Sequence, residues 1–189
     1  MCIRDRNKDV NRLSVIAERF SKIGSKPEME LIYVNEVLEN ATEYMRRRVS
    51  DKVLITTHLP SDAEGAMVCL SLFEWVIENL CKNAVDAMNG EGRIDVYMTS
   101  EKQQIYIDIK DTGKGIARKN FKTVFNPGYT TKKRGWGLGL TLAKRIIEDY
   151  HAGRIYVKDS EVGKGTTFRI ELLSLIHISE PTRRSYISY

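Results

Sequence analysis

Acidic residues are missing from one long stretch of this chain. Between Thr112 and Ile147 there is no Asp or Glu, while Lys114, Arg118, Lys119, Lys122, Lys132, Lys133, Arg134, Lys144 and Arg145 all fall inside it. Cysteine is scarce, with Cys2, Cys69 and Cys81 the only three in 189 residues. Neither their number nor their spacing suggests a disulfide framework or a zinc site, and reduced thiols are the default. No apolar run approaches the roughly 20 residues that span a bilayer, and no secretory signal is present. What remains, 42% hydrophobic and 8% aromatic residues, is ordinary for one globular domain with a real core and argues against wholesale disorder. The net charge of +5 is modest. Its concentration in the acid-free stretch says more than its total.

Both ends read as foreign. Residues 173–183, LSLIHISEPTR, match the translation of a sequencing-library adapter, and residues 1–5, MCIRD, match its transposon end. The expected organisation is therefore tails at 1–6 and 173–189, a helix end at 7–25, and a single domain at 26–172. The expectation that goes with it is a piece of a longer protein, truncated at its start.

Apolar spacing places the elements between the tails. Residues 7–23 carry Leu13, Ile16, Ala17, Phe20 and Ile23 at helical spacing, and Val37, Leu38, Ala41, Tyr44 and Met45 do the same within 34–49. Residues 53–57 read as a strand, and residues 61–70 as a loop with a short strand. The clearest helix starts at Ser71, with Ser71 and Glu74 spaced as a capping box. It carries the stripe Phe73, Val76, Ile77, Leu80, Ala84, Ala87 and Met88, and Asn89-Gly90 closes it. Residues 93–99 and 104–110 alternate as a hairpin, 138–150 read as a helix, and 153–158 with 166–172 form a last hairpin. His151, near the end of the 138–150 helix, reads most simply as a helix-terminal cation.

Three features carry chemistry. The stretch 111–140, DTGKGIARKNFKTVFNPGYTTKKRGWGLGL, joins lysines to glycines and a helix start. Lysines supply charge, glycines let backbone approach, and helix N–H groups face an anion, so the pattern suits phosphate. Asn79, Asn83 and Asp86 lie on one line beside the buried stripe. Asparagine is a mediocre helix former, so the trio is a solvated flank, a packing surface for a neighbouring loop, or a metal or water site. Asp111 ends a strand just before glycines; it is either a turn former or an acceptor for an exocyclic amine.

These blocks together resemble the ATP-binding domain of sensor histidine kinases, within the superfamily shared with Hsp90-type and MutL-type ATPases. ENLCKNAVDAM (78–88) is similar to the asparagine box, DTGKGI (111–116) and GWGLGL (135–140) to the glycine boxes, FKTVFNPGYTTK (121–132) to the phenylalanine box and lid, and GKGTTF (163–168) to the last block. RLSVIAERFSKIGS (12–25) resembles the end of the second helix of a dimerisation and phosphotransfer domain. The resemblance implies an α+β fold, a two-layer sandwich with a mixed, mostly antiparallel sheet covered by helices on one face. It implies ATP and Mg²⁺ as cofactors. Asn83 would ligate the metal with Asn79 assisting, Asp111 would accept from the adenine amine, and Thr167 would support the base. Gly113 and Gly115 would let backbone approach the base. Lys132 would reach the terminal phosphates, and Gly137 and Gly139 would present helix N–H groups. Asp86, Ile116, Tyr129, Thr130, Thr131, Gly135, Leu138 and Leu140 carry over as further nucleotide contacts.

The implied activity is transfer of the ATP γ-phosphate to a histidine on the dimerisation domain, for relay to a response regulator. The implied partners are that domain, as a homodimer, and a receiver domain. The implied location is cytoplasmic, with any inner-membrane anchor in upstream segments. No histidine here sits in an acceptor context, so the acceptor is expected before residue 7. Two other readings remain: an ATP-gated clamp of the Hsp90 or MutL type, which would want Glu where Asn79 stands, and a basic nucleic-acid module, which the lack of stacking aromatics in the basic stretch opposes.

Overall fold

The computed structural model describes residues 27–62, 64–132 and 136–175. Among them, β1 (Glu30–Tyr33) leads into α1 (Val34–Arg46), followed by β2 (Val53–His58), β3 (Gly65–Val68), α2 (Leu70–Ala87), β4 (Gly92–Glu101) and β5 (Gln104–Asp111). Two short 3-10 turns, Arg118–Asn120 and Thr123–Phe125, precede α3 (Gly139–Arg145), which runs on as one π-helical turn, Ile146–Tyr150. β6 (Arg154–Glu161) and β7 (Gly165–Leu173) complete the fold.

The five-stranded sheet has the order β2-β4-β5-β7-β6. β2 runs parallel to β4, and every other pairing in it is antiparallel. Strand periodicity sends alternate side chains to opposite faces. Ile94, Val96 and Met98 of β4, Ile105, Ile107 and Ile109 of β5, and Phe168, Ile170 and Leu172 of β7 are all buried on one side. In register, Val96 faces Ile109 and Ile107 faces Ile170, so the apolar side chains form continuous rows. α2 covers these rows with Phe73, Val76, Ile77, Leu80 and Ala84, the i, i+3, i+4 stripe of an amphipathic helix. The expected two-layer α+β sandwich is the observed one. β1 pairs with β3 in a separate antiparallel ribbon; the sequence reading allowed for β3 but not for β1.

Three local expectations differ from the structure. α2 starts at Leu70 with Cys69 as its N-cap and has no side-chain cap, so the Ser71–Glu74 capping box does not form. The Cys69 N–H donates instead to His151 Nε2 at 3.0 Å. His151 is buried rather than a solvent-facing cation. Its Nδ1 lies 2.7 Å from the Ile146 carbonyl, which makes Nδ1 the protonated nitrogen and leaves Nε2 as acceptor. Burial holds its pKa below the usual 6.5. The chain also does not leave the sheet at 172. Ser174 is buried, its N–H donates to the Gln103 carbonyl at 2.9 Å, and Leu175 N–H donates to Gly65 O at 2.9 Å. The helix expected over 7–23 lies outside the described residues.

Candidate functional site

α2 turns a second face away from the sheet. Trp75, Asn79, Lys82, Asn83 and Asp86 follow its helical period and line one wall of a cavity of about 620 Å³. The end of β5, the turn after it, β7, Tyr129 to Lys132, Trp136 to Leu140 and Leu142 supply other walls.

Asp111 marks the inner end. Its carboxylate is buried, and Oδ1 accepts from the backbone N–H of Gly113 at 2.8 Å and of Thr166 at 3.3 Å. The turn-former reading of Asp111 is realised, with Oδ1 shaping the turn. Among the described residues, no hydrogen bond reaches Oδ2, and the side chain lines the cavity. Burial pushes the Asp111 pKa above the ordinary carboxylate value, and the two N–H bonds partly offset it. Val124, Leu142 and Phe168 add apolar wall around it.

Backbone packing explains the glycines here. Gly115 has φ +71°, and a Cβ there would meet the Glu161 carbonyl oxygen at 2.1 Å. Gly139 lies against Asn79, whose Oδ1 would be 2.6 Å from an added Cβ. Asn79 Nδ2 is buried without a partner among the described residues, an expensive state for an amide unless a ligand or water completes it.

The outer end is closed by Lys132. Its ammonium donates to Asn83 Oδ1 at 2.8 Å and to the Asp86 carboxylate. Lys114 Nζ donates to Thr131 Oγ1 at 2.8 Å. The loop that carries Thr131 and Lys132 is pinched at its base, where Gly128 N–H donates to Gly137 O at 3.2 Å.

Of the residues singled out in the sequence, Asn79, Asn83, Asp86, Asp111, Gly115, Ile116, Tyr129, Thr130, Thr131, Lys132, Gly137, Leu138, Gly139 and Leu140 all line this one cavity. Gly113 does not. It packs on the Ala87 backbone, where a Cβ would come within 2.7 Å of a carbonyl carbon. Thr167 is displaced by its neighbour: alternation along β7 turns Thr166 into the cavity and Thr167 to the opposite face. Gly135 lies outside the described residues. Sequence reasoning missed Trp75, Lys82, Lys114, Asn120, Trp136 and Phe168. For Trp75 and Lys82 the signal was available, since both sit one turn from Asn79 on the same helix face.

The sequence family described as histidine kinase-, DNA gyrase B-, and HSP90-like ATPase matches residues 70–175. Sporulation kinase A of Bacillus subtilis (strain 168) is 42% identical over 95 residues, which cover 50% of this chain and 15% of that protein. Among solved structures, histidine kinase ThkA in complex with response regulator protein TrrA superposes with a TM-score of 0.73 at 20% identity, over 88% of this chain and 48% of that one. Full-length ShkA in complex with AMPPNP superposes with a TM-score of 0.70 at 23% identity, over 82% of this chain and 34% of that one.

Proposed function

The chain belongs to the histidine kinase-, DNA gyrase B- and HSP90-like ATPase family, and from that membership we propose that it is the ATP-binding catalytic domain of a two-component sensor histidine kinase. Its reaction is transfer of the ATP γ-phosphate to a histidine of a dimerisation domain, for relay to a receiver domain. The observation that carries the reading is the polarity of the cavity. A buried carboxylate with a free oxygen lies at the inner end, and amide, carboxylate and ammonium groups gather at the outer end.

The residues present fit a magnesium nucleotide. No group of three or more His, Cys, Asp or Glu side chains among the described residues could hold a metal unaided. A hard cation that keeps several waters and takes oxygen from phosphates needs no such group. Asn83 Oδ1 and Asp86 supply oxygens of that kind, and the Lys132 ammonium already occupies their common position as a stand-in cation. Asn79 Nδ2, the orphaned donor, is satisfied once a phosphate or its hydration shell enters.

In the proposed mechanism Asp111 Oδ2 accepts from the adenine amine, and Thr166 stands beside it in the role expected of Thr167. Gly115 lets backbone pass close to the base. The glycines at 137 and 139 leave the first turn of α3 open, where helix N–H groups have no intrahelical partner. Magnesium, when bound, neutralises charge on the transferring phosphoryl group. The protein's own part is positioning and electrostatics: Lys132 reaches phosphate oxygens, and Asn79 and Asn83 hold the metal side of the site.

One observation disfavours the ATP-hydrolysing clamp. Asn79 offers no base for water, and the neighbouring Glu78 is not among the cavity residues and is paired with Lys82 at 2.9 Å. Among the described residues no helix is long and apolar enough to cross a membrane; we place the domain in the cytoplasm. The partners in this reading are an upstream dimerisation domain, as a homodimer, and a receiver domain.

Calorimetry tests the reading. ATP binding should require Mg²⁺ for full affinity, and Asn83→Ala should abolish that dependence. Labelled MgATP should phosphorylate a dimerisation domain added in trans, with an acid-labile product. Absence of nucleotide binding would refute the proposal.

A further inference from the structure

His151 joins two helices that border the cavity. Its Nδ1 donates to the Ile146 carbonyl at 2.7 Å, and its Nε2 accepts from the Cys69 N–H at 3.0 Å. The first bond closes the π-helical turn that continues α3, and the second lies at the N-cap of α2. A neutral imidazole, donor on one nitrogen and acceptor on the other, serves a helix end and a helix start at once. The same two helices meet again inside the cavity. Gly139, the first residue of α3, packs so close to Asn79 that a Cβ there would stand 2.6 Å from Oδ1. Cys69 and Asn79 are roughly 15 Å apart along α2, at 1.5 Å per residue. α3 and its π-helical turn therefore run back along α2 and are fixed to it at both ends.

We infer that His151 is a positioning residue for the nucleotide cavity: as a neutral imidazole it ties the far end of the α3 run to the start of α2, and so holds Gly139 against Asn79. This rests on the ATP-binding reading and adds a control on it. The ring is buried, and its contacts are uncharged: a backbone N–H, a carbonyl, and the Phe73 ring with its centroid 6.0 Å away. On the π-helical turn, Glu148 and Asp149 are exposed and pair with Lys144 and Arg145. On β6, Arg154 pairs with Glu171. Near the start of α2 stand the Cys69 thiol and Glu74, whose carboxyl burial pushes above its ordinary value. No charged side chain contributes to the lowered pKa of His151, which burial causes. Protonation would put an N–H on Nε2, facing the Cys69 N–H, and a cation at the unfavourable end of α2. The tie then opens, and the Asn79–Gly139 contact loses its far support. Protonation of His151 and nucleotide binding are thus opposed, and by linkage each weakens the other to the same degree.

NMR titration of the histidine rings of the full chain, with and without MgATP, tests the coupling. His151→Gln identifies the signal, and His58, exposed at the end of β2, is the control. Saturating MgATP should lower the His151 pKa by about half to one pH unit and leave His58 unmoved. Calorimetry should show the matching loss, about three- to tenfold in MgATP affinity, as pH falls through the His151 value. Phosphate itself titrates near about pH 6, so the readout is the difference between parent and His151→Gln. Glutamine reaches as far as Nε2 and does not titrate; that variant should keep the neutral-pH affinity and lose the parent's extra weakening in acid. His151→Asn reaches the Ile146 carbonyl but not the Cys69 N–H, and should bind about three- to tenfold more weakly at every pH. Thermal melts confirm that each protein is folded at each pH. A His151 pKa indifferent to MgATP, or one pH profile shared by the parent and His151→Gln, overturns the coupling alone. Absence of MgATP binding at every pH refutes the functional reading, and the coupling with it.

Discussion

Asp111→Asn is the sharpest perturbation that the site offers. In the parent, Oδ1 holds two backbone N–H groups, of Gly113 and Thr166, and Oδ2 is left for a ligand. Asparagine keeps the first oxygen and replaces the second by an NH₂ group, a donor facing the donor of adenine. A hydrogen bond to a charged group contributes about 1.5–3 kcal/mol, so ATP affinity should fall about ten- to a hundredfold. The melting temperature should move little. Asp111→Ala should behave differently, because it also strands both N–H groups at about 1–3 kcal/mol each, and should lose stability and affinity together. GTP presents a carbonyl where ATP presents the amine, so the parent should bind it poorly and Asp111→Asn should narrow the gap. Calorimetry with both nucleotides, alongside thermal melts, separates the two contributions. Equal affinity of the parent for ATP and GTP, or undiminished ATP affinity in Asp111→Asn, would refute the assignment.

His151 gives a pH dependence. Burial depresses its pKa below 6.5, so the folded protein takes up the proton later than the unfolded chain. Its contribution is complete above the unfolded value and is lost as pH falls through the folded one. Melting temperature should drop on acidification, and His151→Ala, less stable at neutral pH by about 1–3 kcal/mol, should flatten that drop. Gly139→Ala should lower nucleotide affinity with a small change in stability, since its Cβ would press on Asn79 Oδ1 at 2.6 Å; binding and melting measured together check it. Deleting residues 176–189 should leave the melting temperature unchanged. Deleting 174–189 should lower it, because Ser174 Oγ bonds Glu64 at 2.9 Å and two further backbone bonds go with it.

The buried stripe of α2 and the central strands were legible because period and burial are one-dimensional signals. So were the cavity residues carried by contiguous blocks. What escaped depended on partners far along the chain. Nothing near Ser71 announces that an imidazole 82 positions from Cys69 takes the N-cap N–H, so the local capping pattern misled. Thr166 and Thr167 are chemically identical, and only the register with Asp111 chooses between them. The β1–β3 ribbon is four residues a strand, too short for alternation to declare itself. The reach of Lys132 to α2 spans 46 positions to Asp86, a distance across which charge pattern predicts only that some anion will be found.

The bond from Gly128 N–H to Gly137 O closes a small ring of chain. Position 137 is held to glycine there because a Cβ would meet the Gly128 carbonyl carbon at 2.4 Å. Beyond that closure, Thr131 and Lys132 reach the rest of the fold through exposed side-chain contacts with Lys114, Asn83 and Asp86 and not through the sheet. The length of the loop becomes a free variable: doubling a flexible loop costs only about 0.6 kcal/mol in closure entropy. A chain built this way can gain or lose residues over its binding site, and so retune how fast that site opens, without renegotiating its core.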